Sequence, residues 1–392
     1  MQKEPNKPNV LFVASNIPTP KRQSNKVVMT IAHKLSPQFS MYVLHPAEFA
    51  PFPFNMMKKY KNIMGSQSWE DDGIVVRPFK YIRLFGKKNA FLLLPCYKKR
   101  ILRYCQQHGI PQLVHAHFAL PDGYIAYQIS QLFNVPYIIS FRKSDIASLN
   151  LPTHCSTKKL MSEVLSNASK IIVHNAAQQE ILSEAGYESV VMPHGIETDF
   201  FAKKESANTS NILNIACVGE LIPQKHIDWV INAVRDYEGD KKLKLKVAGE
   251  GPMRHELELL AQGADDIQLL GKISHDNVGE LLRQSDIFAL PSVNETFGLV
   301  YLEATAHQNA IIATKGTGIW GNLTDGDEAL YCDSYTSFQE KLYKLIEEDG
   351  FRNQMAINAY VKTKENYTWD IIIDRYVSLY RSLMVTTNCF SS

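Results

Sequence analysis

Short apolar runs alternate with helix-patterned stretches along nearly the whole chain, and the alternation is made twice. "NVLFVAS" (9–15) reads as a buried strand, and "KVVMTIAHKLS" (26–36) has helical apolar spacing. "FSMYVLH" (39–45), "LVHAH" (113–117), "YIISFR" (137–142), "KIIVHN" (170–175) and "SVVMPHG" (189–195) are further strands, with helices at 122–133 and 177–186 between them. Continuous apolar strands need cover on both faces. A β-α-β-α rhythm of this kind predicts a parallel sheet with helices on both sides. "AKKESANTSN" (202–211) is polar and aperiodic and reads as a linker. A second run then begins at "ILNIACVGE" (212–220). It continues through "LKLKVAGEG" (243–251), "DIQLLG" (266–271), "DIFALPS" (286–292) and "AIIATK" (310–315), with helices at 226–236, 253–262, 276–284 and from about 298. The expected fold class is α/β, with two doubly wound, Rossmann-like parallel-sheet domains at 1–204 and 211–369. Ligands of such sheets sit beyond the carboxyl ends of the strands. Two domains with those ends facing each other make a central cleft.

A length of 392 residues fits two or three cores. The apolar run at the N-terminus is too short for a signal-peptide core, and no stretch approaches a membrane span. Six scattered cysteines without a C-x-x-C pair suit reduced thiols and a cytoplasmic setting. With no His/Cys cluster, no metal and no cofactor are expected; "EDD" (70–72) reads as a loop far from the motifs.

The net charge of +2 hides a split. Residues 1–205 hold 25 Lys/Arg against 14 Asp/Glu, and the remainder is net acidic. The segment 77–103 carries nine basic residues and no acidic one, interleaved with Phe, Tyr, Leu and Ile. That composition suits peripheral contact with anionic lipid on the inner face of a membrane, apolar side chains dipping in. A solvated helix face over a core is the alternative. Nucleic acid is not expected, because aliphatics outnumber stacking residues and no nucleic-acid motif is present.

Chemistry concentrates in "PSVNETFGLVYLEATA" (291–306). Glu295 falls in the loop at a strand's carboxyl end, and Glu303 lies inside the following helix. Between them the amides of Phe297, Gly298 and Leu299 open the helix, with the positive partial charge that suits a phosphate. Gly298 lets a ligand approach the backbone. Carboxylates accept hydrogen bonds from hydroxyls. The stretch therefore matches a ligand with a diphosphate between two hydroxylated rings, a nucleoside-diphosphate sugar. Taken alone, two glutamates eight positions apart are more often surface charges.

The stretch resembles the E-x7-E signature of family 4 retaining glycosyltransferases, the glycosyltransferase group 1, whose fold is termed GT-B. "VGELIPQKHIDWVINAV", "VAGEGPMRHELE" and "LLGKISHDNVGELLRQSDIFALPS" are similar to its other donor-domain motifs, and "LVHAHFALPDGYIA" and "VMPHGIETDFF" to motifs of its first domain. The resemblance implies transfer of a hexose-type sugar, with retention, from a nucleotide donor to a glycan or lipid-linked acceptor. It implies Glu295 at the donor sugar and Glu303 at the ribose, with Lys225, Gly219, Gly251 and Asn294 around the donor. His117 is implied beside the anomeric centre; a satisfied core histidine is the other reading. "YTWDIIIDRYVSLYRSL" resembles a helix that packs back on the first domain, so 370–392 is expected to cross over.

Three departures stand out. The phosphate-binding Arg of the family is Glu220 here, although Lys225 remains. At 4 Å an unpaired carboxylate repels a phosphate charge by about 1 kcal/mol in water and ~4 kcal/mol at an effective dielectric of 20. Glu220 must turn away or pair with Lys225, or diphosphate binding suffers. Arg142 in "SFRKSDI", together with Asp145, is the candidate for compensation; a surface ion pair is the alternative for Arg142. The first loop, "NIPTPKRQSNKV", lacks the usual glycines and offers Lys21 and Arg22 to an anionic acceptor or phosphate. Gly321 stands where the family has an acid. These departures keep two other functions open: a non-catalytic nucleotide- or sugar-binding protein, and a nucleotide-sugar epimerase. If the chain is a transferase, surface polysaccharide assembly is the expected pathway.

Overall fold

The computed structural model describes residues 7–20, 26–49, 67–84, 87–201, 212–293 and 295–388. Lys21, Arg22, Asn294 and the expected linker 202–211 lie outside them. The chain divides into two compact units. The first comprises 1–173, 178–192 and 373–392; the second comprises 174–177 and 193–372. The boundary thus falls at 192/193 rather than 204, and at 372/373 rather than 370. The physical reason for the first is that Ile196 is buried in the second core and pairs with Thr368, Ile196 N donating to Tyr367 O at 2.9 Å.

The first unit holds an eight-stranded sheet. Its strands are β1 (Asn9–Val13), β2 (Ser40–Phe49), β3 (Trp69–Asp71), β4 (Ile74–Ile82), β5 (Leu113–Ala116), β6 (Tyr137–Ser140), β7 (Lys170–Val173) and β8 (Val190–Val191), ordered β3-β4-β2-β1-β5-β6-β7-β8. All pairings are parallel except β3 with β4. That antiparallel pair corrects the reading of "EDD" as a loop. Asp72 and Gly73, both at positive φ, form the two-residue turn an Asp-Gly pair favours. The helices are α1 (Val27–Leu35), α2 (Lys98–His108), α3 (Tyr124–Phe133), α4 (Lys143–Leu149), α5 (Ser156–Ser166) and α6 (Ala176–Glu184). Val10 to Val13 of β1 are fully buried, as a central parallel strand requires.

The segment 77–103 is not a lipid-dipping surface over its whole length. Residues 77–82 belong to β4, and 98–103 to α2. Phe79, Tyr81, Phe91, Leu94 and Ile101 point into the core of the first unit. The exposed residues include Arg83, which pairs with Glu48, and Lys87, Lys88, Leu92, Lys98, Lys99, Arg100 and Arg103. Among the described residues no helix is long and apolar enough to cross a membrane. The five described cysteines are free.

The second unit holds a six-stranded, wholly parallel sheet of β9 (Ile212–Val218), β10 (Lys242–Ala248), β11 (Ile267–Gly271), β12 (Ile287–Ala289), β13 (Ala310–Thr314) and β14 (Leu330–Cys332). The order is β11-β10-β9-β12-β13-β14. Around it lie α7 (Ile227–Arg235), α8 (Arg254–Ala261), α9 (His275–Arg283), α10 (Leu299–Ala306), α11 (Tyr335–Glu347) and α12 (Asp349–Asn366). A last helix, α13 (Trp369–Asn388), starts in the second unit and continues in the first. Its Tyr380 hydroxyl meets His115 Nδ1 of β5 at 2.5 Å, so this helix is part of the first unit's core.

Candidate functional site

Strand order reverses between β9 and β12, which are adjacent in the sheet though distant in sequence. The loops leaving two such strands diverge and open a crevice at their carboxyl ends. Lys225 follows β9 and Glu295 follows β12, and their side chains form an ion pair across this switch point, each only about one-seventh exposed. The Lys225 stem runs along Gly219, whose missing Cβ would rest 3.7 Å from the Lys225 chain. Behind them the loop after β10 closes in: a Cβ on Gly251 would collide with the Leu221 carbonyl, so glycine is required there.

The backbone of Glu295 is held independently of its side chain. Its N–H donates to Thr317 Oγ1 at 3.2 Å, and Thr317 Oγ1 donates back to its carbonyl at 3.0 Å. Gly298 takes the N-cap position of α10 with φ +78°, ψ +69°. A Cβ there would stand 2.6 Å from the Tyr301 ring, which is buried and tied by its hydroxyl to Leu290 O at 2.7 Å. Leu299 and Val300, the first residues of α10, are partly exposed, and their N–H groups make no backbone hydrogen bond among the described residues. This helix start has the polarity of an anion seat. Phe297, expected to supply an amide there, precedes the Gly298 cap. Its side chain is buried and packs edge-on against His194 at 5.1 Å.

Glu303 sits on α10, with its carboxylate 3.1 Å from His275 Nε2. Ser274 caps α9, accepting from Asn277 N, and so fixes His275 in the first turn. Burial raises the Glu303 pKa, and the neighbouring His275 pulls it back part of the way. Glu220 is exposed and forms no ion pair among the described residues, because Lys225 is engaged by Glu295. Of the three outcomes expected for Glu220, pairing with Lys225 is therefore excluded in this structure, and turning out to solvent is observed.

The first unit has its own switch point between β1 and β5. Ser15 N, just after β1, donates to Asp122 Oδ2 at 3.0 Å. His117, just after β5, is fully buried, stacks on His115 at 4.2 Å and packs at a tilt against Phe12 at 4.5 Å. Arg142 caps α4 and donates from Nε to His117 O at 3.1 Å. It is buried, not the surface ion pair weighed for it. Asp145 accepts from Arg142 N at 2.9 Å and from Ala119 N at 3.3 Å. Burial pushes the Asp145 carboxyl up to about 7, against the pull of those two amides and of Arg142. Asp122 is driven well above the carboxylate range by the same cause. The structure thus brings His117, Arg142 and Asp145 together in the first unit, and Lys225, Glu295, Gly298 and Leu299 together in the second.

Sequence reasoning missed two residues of the second site. Thr317 clasps Glu295, and Asn175 donates to both Thr296 O and Gly318 O at 2.8 Å. Thr317 lies in the loop after β13, four residues before the departure at Gly321, which was the available signal. Nothing in the sequence ties Asn175 to a loop more than a hundred residues away.

Two doubly wound domains, the second with cation, carboxylate and helix start gathered at its switch point, define the GT-B architecture of glycosyltransferases. Residues 197–362 match the family model described as glycosyl transferases group 1. Over 364 residues the chain is 23% identical to the uncharacterized glycosyltransferase MJ1178 of Methanocaldococcus jannaschii, covering 88% of this chain and 99% of that protein. Among solved structures, sucrose-phosphate synthase from Thermosynechococcus elongatus superposes with a TM-score of 0.73 at 16% identity, covering 97% of this chain and 100% of the other. Anabaena Alr3699/HepE, crystallised in complex with UDP, gives 0.68 at 15% identity, covering 95% and 100%. At these identities the structural likeness is one of fold.

Proposed function

We propose that this protein transfers a hexose-type sugar from a nucleoside diphosphate to a glycan or lipid-linked acceptor, with retention of anomeric configuration. The observation that carries the reading is the pairing of Lys225 with Glu295 across the second unit's switch point, beside the open start of α10. In the absence of donor each group neutralises the other. On binding, Lys225 and the Leu299 and Val300 amides take the diphosphate, and Glu295 is released to accept hydrogen bonds from the sugar hydroxyls. Glu303, 3.1 Å from His275, accepts from the ribose. As the glycosidic bond breaks, negative charge grows on the diphosphate, and a fixed cation with aligned amides stabilises that charge. No resident metal or cofactor enters this scheme. A UDP-bound neighbour of the same fold makes uridine nucleotides the first donors to try.

The exposed cations from Lys87 to Arg103, with the half-exposed Leu92, support contact with an anionic membrane and hence a lipid-linked acceptor and a role in surface polysaccharide assembly. The competing reading, a binding protein without turnover, draws on Glu220 standing where the family carries a cation. A panel of UDP-, GDP- and ADP-sugars identifies the donor by thermal shift; ligand at 100 times its Kd adds about 2.7 kcal/mol of apparent stability. Transfer or donor hydrolysis must then be lost in Glu295→Ala while the shift by the bare nucleotide persists. Wild-type turnover surviving that substitution removes Glu295 from the mechanism. Binding without any turnover in the wild type favours the binding protein.

A further inference from the structure

Four residues from the first half of the chain, 174–177, pack within the second unit, although the segments on either side belong to the first. They lie between the two loops that shape the surroundings of Glu295. Asn175 is buried, and its Nδ2 donates to Thr296 O in the glutamate loop and to Gly318 O in the loop after β13, each at 2.8 Å. Both partners are carbonyl oxygens, so only the amide nitrogen can face them. The His174 carbonyl accepts from Asn322 Nδ2 at 3.3 Å, and the His174 ring lies 4.3 Å from His194, which packs on Phe297. The Ala176 methyl fills the space that a side chain at Gly321 would occupy, and Gly321 sits at φ +76°. Gly321 is therefore closed to any longer side chain, and a segment from elsewhere in the chain packs against the loop at this point.

We infer that Asn175 is a positioning residue for the sugar-transfer step: by bonding both loops through one amide it fixes Glu295 relative to Gly318. The inference rests on the role proposed for Glu295. It acts through geometry, so it governs turnover more than nucleotide affinity, which depends on Lys225 and the α10 amides. The test compares wild type with Asn175→Ala and Asn175→Asp, using UDP and the UDP-sugar that turns over. The expected result is a kcat lowered at least 30-fold in both variants, with the Kd for UDP changed less than threefold. The aspartate variant is the slower at pH 8, because its carboxylate faces two carbonyls, and it regains activity as pH falls and a proton restores one bond. A purely structural role would lower thermal stability in both variants and leave kcat and its pH profile unmoved, and that outcome overturns the inference. Hydrogen–deuterium exchange supplies a readout independent of activity. Residues 295–298 and 316–322 should exchange faster together in both variants, with the rest of the second unit unchanged. Unaltered exchange in both loops also overturns the inference. A wild type without turnover refutes the proposed function instead and leaves the exchange result to decide the role of Asn175.

Discussion

Replacing Gly298 by alanine tests the proposed donor site at its most constrained point. Two costs add. The residue stands at φ +78°, ψ +69°, in the left-handed region, where a side chain costs roughly 1–2 kcal/mol. The new methyl would also lie 2.6 Å from the Tyr301 ring. That ring cannot simply swing away, since it is buried against Phe288 at 5.6 Å and tethered to Leu290 O. Forcing a methyl into such packing costs a further ~1–3 kcal/mol. The total, about 2–5 kcal/mol, lowers Tm by roughly 4–20 °C for a unit of this size. Gly316→Ala is the matched control. Gly316 has φ +75° but nothing within 4 Å of its would-be Cβ, so only the backbone cost applies, roughly 2–8 °C. Calorimetry on wild type and both variants reads the two components, and UDP titration reads the consequence at the helix start, where affinity should fall at least tenfold for Gly298→Ala alone. Equal Tm losses in the two variants would refute the steric argument. An unchanged UDP affinity would separate the α10 start from the ligand.

Three other perturbations follow from the same geometry. Lys225→Met leaves Glu295 mostly buried without its cation and should cost about 1–3 kcal/mol, reduced from the 3–5 of a fully buried pair; adding Glu295→Gln should return most of it, which a denaturation double-mutant cycle measures. His275→Ala removes the partner that opposes the burial-driven rise of the Glu303 pKa, so the pH below which UDP binding weakens should move upward, read as Kd against pH from 5 to 8. Asp145 has a folded pKa of about 7 against 3.8 unfolded, so the native state holds a proton that the unfolded state has lost between those values. Its contribution to stability is complete below pH ~4 and is lost as pH rises through ~7. The Tm gap between wild type and Asp145→Asn should shift accordingly across that window, and a constant gap would place the shifted titration elsewhere.

The strands and helices were legible because period and burial coincide. Apolar runs such as "LFV" in β1 and "IAC" in β9 are buried throughout, which is what a continuous apolar run signals. The edge hairpin β3–β4 was not read, although its Asp-Gly turn is a local signal, because the basic residues of β4 drew attention to its surface character. Arg77 and Lys80 alternate with the buried Val76 and Phe79 along one strand, and composition over a window averages that alternation away. The pairing at the second unit's candidate site follows from two charged groups that come directly after their strands, Lys225 after β9 and Glu295 after β12. Asn175 was illegible because its partners are backbone carbonyls, which carry no residue identity.

The departures at Glu220 and Gly321 have different physical standing. Gly321 is accounted for within the second unit: the Ala176 methyl and the positive φ exclude any longer side chain, and Asn175 supplies an anchor from elsewhere in the chain. Glu220 makes no ion pair among the described residues. It faces solvent while Lys225 and Glu295 neutralise each other, so the switch point without ligand holds no surplus positive charge from this pair. In the proposed scheme a diphosphate must therefore win Lys225 from Glu295, and the sugar helps by giving Glu295 other partners. The bare nucleotide supplies a competitor for Lys225 and nothing for Glu295; the nucleotide sugar supplies both. This asymmetry predicts that a UDP-sugar binds more tightly than UDP in the wild type, and that Glu295→Gln, which frees Lys225 beforehand, reverses the order by strengthening UDP. Calorimetric titration of both ligands into both proteins measures it, and UDP binding equally well to wild type and variant would show that the ion pair does not gate the site.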